Sequence, residues 1–116
     1  MMNKPISKKL LCHSATHYSY VGDGDYNERL FDNPTVLKYV RLDFAERVLK
    51  HMEGEELEAT HVLFYDMVHS IPHNVHFKEN DKVVISPHNE IQELIVMEVK
   101  SFYNMNKLHH LEVLLK

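Results

Sequence analysis

Glu58-Ala-Thr-His-Val-Leu-Phe-Tyr-Asp-Met-Val-His-Ser-Ile-Pro-His-Asn-Val-His-Phe-Lys-Glu-Asn-Asp-Lys-Val-Val84 is the stretch that decides the fold. It opens as an apolar, β-branched and aromatic run through Thr60, Val62, Leu63, Phe64, Tyr65, Met67 and Val68. The run breaks at Ile71-Pro72-His73-Asn74 and resumes past the charged Lys78-Glu79-Asn80-Asp81-Lys82 into Val83-Val84-Ile85. A β-rich run, a Pro/Asn break and a charged turn before a second apolar run predict strand, connection, strand. The stretch holds no nucleophile motif or phosphate loop, so function has to come from the surfaces that this β core presents.

Outward from this centre, the same reasoning predicts further strands. Tyr18 and Tyr20 alternate within Ser14 to Val21, and Thr35 to Asp43 places Val36, Lys38, Val40 and Leu42 on one face. Between them, Gly22-Asp23-Gly24-Asp25-Tyr26-Asn27-Glu28-Arg29 has the composition of a surface loop. Asp43 to Gly54 changes period, with Asp43 as a cap and Gly54 as a stop, and predicts a short helix or an irregular insertion. Ser86 to Glu90 predicts a hairpin turn, and Ile91 to Lys100 a strand with Ile91, Ile95, Met97 and Val99 on one face. Ser101 to Lys107 is expected as an aromatic-bearing loop, followed by a last strand in which Leu111, Val113 and Leu115 share a face. The expected fold is therefore mainly β: a small antiparallel barrel or sandwich of about six strands with long loops. Residues 1–9 are expected to form a flexible N-terminal arm, and residues 10–116 a single barrel-like domain.

Composition narrows the function classes. At 116 residues, with 44% apolar and 26% charged residues, the chain has the make-up of one soluble globular domain. Its net charge of −4 with neutral histidines argues against non-specific binding to nucleic acid. The single cysteine, Cys12, cannot pair within the chain. No apolar run approaches the ~18 residues of a membrane span.

Ten histidines invite a metal reading. His61, His69, His73, His76, His88 and the His109-His110 pair are the candidate ligands, but Pro72 separates His69 from His73, and no His-Glu-x-x-His or cysteine cluster accompanies them. Asp23, Asp25 and Asn27 alternate as calcium ligands do, without the later glycine and terminal glutamate of such a loop. Ser14, Ser70, Ser86 and Ser101 lack a Gly-x-Ser-x-Gly setting. A small metal-dependent hydrolase built on the histidines is the alternative function, and a nucleic-acid-binding small barrel ranks behind it. No catalytic, cofactor-binding or metal residue is assigned.

Several segments carry a resemblance. Ala59 followed by Leu63-Phe64-Tyr65-Asp66, Val68-His69-Ser70, then Phe77-Lys78-Glu79 with Asp81-Lys82-Val83, and Lys107-Leu108-His109-His110 with Glu112-Val113 resemble minor capsid proteins of tailed phages and prophages of Gram-positive bacteria. Lys9-Leu10-Leu11, His13-Ser14-Ala15-Thr16 and Val40-Arg41-Leu42 are similar too, so the likeness covers nearly the whole chain in order. It departs at Ser86 to Ile91, where the family usually has an Asn-Gly or related turn followed by an aromatic residue.

The resemblance implies a non-enzymatic head-tail connector of the head-completion or stopper kind, with no cofactor. It would form a homo-oligomeric ring below the portal and adaptor, retain packaged DNA without sequence-specific binding, and offer a docking surface to tail-completion proteins. Its place would be the head-tail interface of the virion, after synthesis and assembly in the host cytoplasm and with no membrane association; isolated subunits can be monomeric. Because aromatics among polar residues suit an interface, Tyr26, Phe31, Phe102, Tyr103 and Met105 are the candidate contact residues. Asp23 and Asp25 are the candidate channel-loop residues, where they would repel DNA.

Overall fold

A computed structural model describes residues 4–44, 59–86 and 90–116. Six strands form one antiparallel sheet: β1 (His13–Asp23), β2 (Arg29–Phe44), β3 (His61–Asp66), β4 (Lys82–Ile85), β5 (Gln92–Asn104) and β6 (Lys107–Leu115). Their order, β1-β2-β3-β6-β5-β4, closes into a barrel because β4 pairs with β1 from Ala15↔Ile85 to Tyr18↔Lys82. Strand direction alternates around the barrel. Both tight hairpin turns and the β3–β4 connection therefore leave from one end, and the β2–β3 and β4–β5 connections from the other.

The interior is filled by one side of each strand. Leu37, Val40, Leu63, Tyr65, Val83, Val96, Val113 and Leu115 are fully buried there. Each such aliphatic side chain contributes roughly 1.5–3 kcal/mol by leaving water. A smaller cluster, Ala59, Val62 and Leu114 with Phe64 against it, lies on the opposite face of β3 and β6.

Two expected faces are overturned by β-bulges. In β2, Lys38 pairs with Ser14 and Val40 with His13, so Tyr39 is an extra residue in the ladder and takes φ 59°. That insertion turns the alternation over. Leu37 and Val40 both point inward, whereas Val36, expected on the buried face, is 59% exposed. In β5, Val96 pairs with Leu115 and Glu98 with Leu114, which makes Met97 the extra residue. The buried residues are Leu94 and Val96 instead of Ile91, Ile95 and Met97, while Val99 beyond the bulge packs on the core as expected.

Of the two segments expected as loops, Gly22 to Arg29 keeps its turn between two strand ends, whereas Ser101 to Lys107 belongs mostly to strands. β1 runs to Asp23 and β2 begins at Arg29, which leaves a short turn from Gly24 to Glu28, closed by Gly24 N–H donating to Glu28 O at 2.7 Å. β5 and β6 meet across Met105 and Asn106, both at positive φ (51° and 68°), as a tight two-residue hairpin turn requires. Asp43, expected to cap a helix, lies within β2 opposite Val62. Phe44 ends β2, and residues 45–54 of that insertion, with Pro87 to Asn89 of the expected turn, lie outside the described residues.

Candidate functional site

The two hairpins carry the candidate contact residues. At the β1–β2 turn Tyr26 is 91% exposed, and its backbone N–H donates to Glu28 Oε2 at 3.0 Å. Phe31 is half-buried at the base of this hairpin, edge-on to Tyr20 at 6.2 Å, with Lys82 Nζ 4.7 Å from its ring centroid. At the β5–β6 turn Tyr103 and Met105 are each 67% exposed. Phe102 lies flat against His110, with ring centroids 4.9 Å apart and planes 3° from parallel. Tyr26 therefore belongs to one hairpin and Tyr103 with Met105 to another. The candidates form two separate patches.

Asp23 and Asp25 are both exposed on the β1–β2 hairpin. Asp23 Oδ1 accepts the Tyr20 hydroxyl at 2.7 Å, and that bond, followed by burial, raises the phenol above its ordinary range. Tyr20, Asp23, Asn27, Glu28, Arg29 and Phe31 face Asn80 and Ile95 across an open, mostly polar cleft.

Two buried carboxylates hold the hairpins and the N-terminal segment in place. Asp81 accepts from His17 Nε2 at 2.8 Å, Tyr20 N at 2.9 Å and Lys78 N at 2.9 Å, so β1 is fixed to the start of β4 where its hairpin leaves the barrel. His17 packs on Phe77 at 4.9 Å, and Phe77 is edge-on to Tyr65 at 5.5 Å. Burial raises the Tyr65 phenol, which donates to the Pro72 carbonyl.

Asp66 accepts from Val68 N and His69 N in the turn after β3, and from Ile6 N at 2.9 Å in the N-terminal segment. Ser70 accepts from Asp66 N and donates to the Tyr39 carbonyl, which ties this turn to the β2 bulge. Lys38 and Ile71 exchange backbone hydrogen bonds beside it. Sequence reasoning assigned none of these roles to His17, Asp66, Ser70 or Asp81. The available signal was an aspartate beside a turn, Asp66 before one and Asp81 after one, two or three residues from backbone donors it could cap.

The histidines are dispersed. His61 sits at the start of β3 against Phe44, where burial lowers its pKa. His69 meets the Ile6 carbonyl at 3.0 Å, while His73 and His76 are exposed. His109 and His110 lie on β6, and His88 is outside the described residues. Among the described residues no group of three or more His, Cys, Asp or Glu side chains is placed to hold a metal ion.

Cys12 is exposed with Sγ 3.8 Å from His13 Nε2. His13 Nδ1 accepts the Leu42 N–H at 3.0 Å, so the neutral ring carries its hydrogen on Nε2. That nitrogen faces the thiol as a donor, which is the wrong polarity for a base. Arg41 stays charged against Asp43, whose carboxylate accepts from Nε at 3.0 and 3.1 Å.

The fold and its projecting hairpins define a small all-β barrel that presents aromatic side chains at two places. The sequence matches the family described as minor capsid protein over residues 7–115, and the chain belongs to that family. Membership gives it a structural role in a phage virion. Comparison with curated proteins and with solved structures gave no match.

Proposed function

We propose that this minor capsid protein is a head-tail connector, the head-completion or stopper component that forms a ring below the portal and adaptor. Within the family assignment, the observation that carries the reading is the pair of hairpins with exposed apolar tips, Tyr26 on one and Tyr103 with Met105 on the other. A ring is built head to tail, so each subunit needs two different patches. The hairpins supply two, and closure of the sheet leaves side chains of the projecting turns as the natural contacts.

In this arrangement the β5–β6 tip and the β1–β2 hairpin meet neighbouring subunits, the portal side or the tail. Asp23 and Asp25 face the channel, where two carboxylates per subunit keep DNA phosphates from adhering. The ring retains packaged DNA and offers the incoming tail a docking surface.

Removal of the gene from its phage, followed by electron microscopy, tests the function. Filled heads that leak DNA and lack tails are expected; particles that mature normally would overturn it. Cryo-microscopy of assembled virions tests the channel assignment separately, and a β1–β2 turn lying away from the lumen would refute that part alone.

A further inference from the structure

We infer that His109 and His110 form a proton-linked latch for the N-terminal segment, holding one hydrogen more than two neutral imidazoles whenever Lys4 is docked. His109 Nε2 meets the Lys4 carbonyl, which can only accept, so Nε2 carries a hydrogen. The Nδ1 atoms of His109 and His110 lie 2.8 Å apart and share one hydrogen, given by either ring. His110 Nε2 lies 2.9 Å from Glu112 Oε2, and an ionised carboxylate accepts, so this nitrogen carries a hydrogen as well. The three bonds thus place three hydrogens on four ring nitrogens, and two neutral imidazoles supply only two. The third is a proton taken from water.

The surroundings suit a shared cation. Phe102 stacks flat on His110, and Glu112 closes one end of the chain. Other groups bear on the same place. From β3, the buried Asp66 is the cross-strand neighbour of His110, and His69 follows it in the turn. From β5, Lys100 is the cross-strand neighbour of Glu112 and lies near Glu98. Lys107 lines the same small cleft as His109 and Pro5, and Lys4 brings its own ammonium on the docked segment. The two bonds at Ile6, to Asp66 and His69, need no additional proton. Loss of the third hydrogen leaves two nitrogen lone pairs facing each other at 2.8 Å, so the His109 ring turns away from His110 and its link to Lys4 opens, with Ile6 as the remaining tether.

Glu112→Gln separates this idea from a merely structural role. A glutamine amide can donate to a neutral His110 Nε2, so the three bonds close with two ring hydrogens and no extra proton. In the full-length chain, nitrogen NMR counts the protonated ring positions between about pH 5 and 9. Amide exchange at Pro5-flanking residues, corrected for the intrinsic rate, reports docking. Wild type is expected to pass from three ring hydrogens to two as pH rises, with segment protection falling about tenfold, the size of one charge-assisted hydrogen bond. Glu112→Gln should keep its protection flat. His109→Phe should lower protection at every pH, and it provides the second reading if Glu112→Gln folds poorly. A wild type with two ring hydrogens throughout, protection independent of pH, or an unchanged pH slope in Glu112→Gln would each overturn the proposal.

Discussion

His17 on β1 and Asp81 at the start of β4 meet at 2.8 Å inside the barrel wall, with both side chains at least 95% removed from solvent. The same carboxylate also accepts two backbone N–H groups, from Tyr20 and Lys78. One side chain thus satisfies three donors, two on β1 and one in the turn before β4, where the barrel closes. Asp81→Ala would leave the buried His17 Nε2 without its acceptor and free two part-buried backbone N–H groups. The expected loss is about 1–3 kcal/mol, as for a buried polar group left unpaired, and urea denaturation measures it. Asp81→Asn keeps one acceptor oxygen and should cost less.

Leu63 lies wholly inside the barrel on the shortest path between β2 and β6. Leu63→Ala removes packed methyl groups with neighbours held by the closed sheet, so the cavity cannot collapse. A loss of about 2–5 kcal/mol is expected by the same denaturation.

Ser70 joins two strands through one hydroxyl, accepting from Asp66 N and donating to the carbonyl of the bulged Tyr39. Ser70→Ala takes this partner from the buried Asp66 N–H and from the Tyr39 carbonyl. It is expected to cost about 1–3 kcal/mol, with faster amide exchange at Asp66 while β5 and β6 keep their protection.

His61 gives stability a pH slope of defined sign. Burial lowers its folded pKa below the unfolded value of about 6.5, so the unfolded chain binds the proton more readily. Its contribution is complete above that unfolded value and is lost as pH falls through the folded one. His61→Gln should flatten the acid side of the stability curve. Denaturant midpoints at a series of pH values below neutrality check this, and an unaltered slope would refute it.

Tyr103 and Met105 make the assembly reading separable from folding. Both project from a hairpin turn into solvent. Replacing both with serine should move stability by less than about 0.5 kcal/mol. The same double change should prevent incorporation into particles, read by immunoblot of purified virions. Normal incorporation would remove this hairpin from the contact set.

The sequence carried the strand order along the chain and the fold class, because alternation in β6 and the Pro72 break in the centre leave little choice. The family was legible in the Leu63 to Ser70 segment and its companions. The buried faces of β2 and β5 were not, since an inserted Tyr39 or Met97 turns every later side chain over and no residue type announces the insertion. Gly, Asp and Asn near residues 22–27 read as a turn, and Gly24 to Glu28 is one, whereas Asn104 and Asn106 suggest irregular chain over Ser101 to Asn104, where only the pairing partner reveals that β5 continues. The roles of Asp66 and Asp81 depend on donors up to 64 residues away, a distance at which local pattern is silent.

The four-residue β4 is the shortest stave, yet it alone joins β1 to β5. Its neighbours on β1 lie far back in the chain, so a large loop has to be closed before those contacts repay it. This seam is accordingly expected to close late in folding. Changes at Val83 that weaken it should leave a lingering population of half-rolled sheets, with raw edges exposed to one another in a crowded host cell.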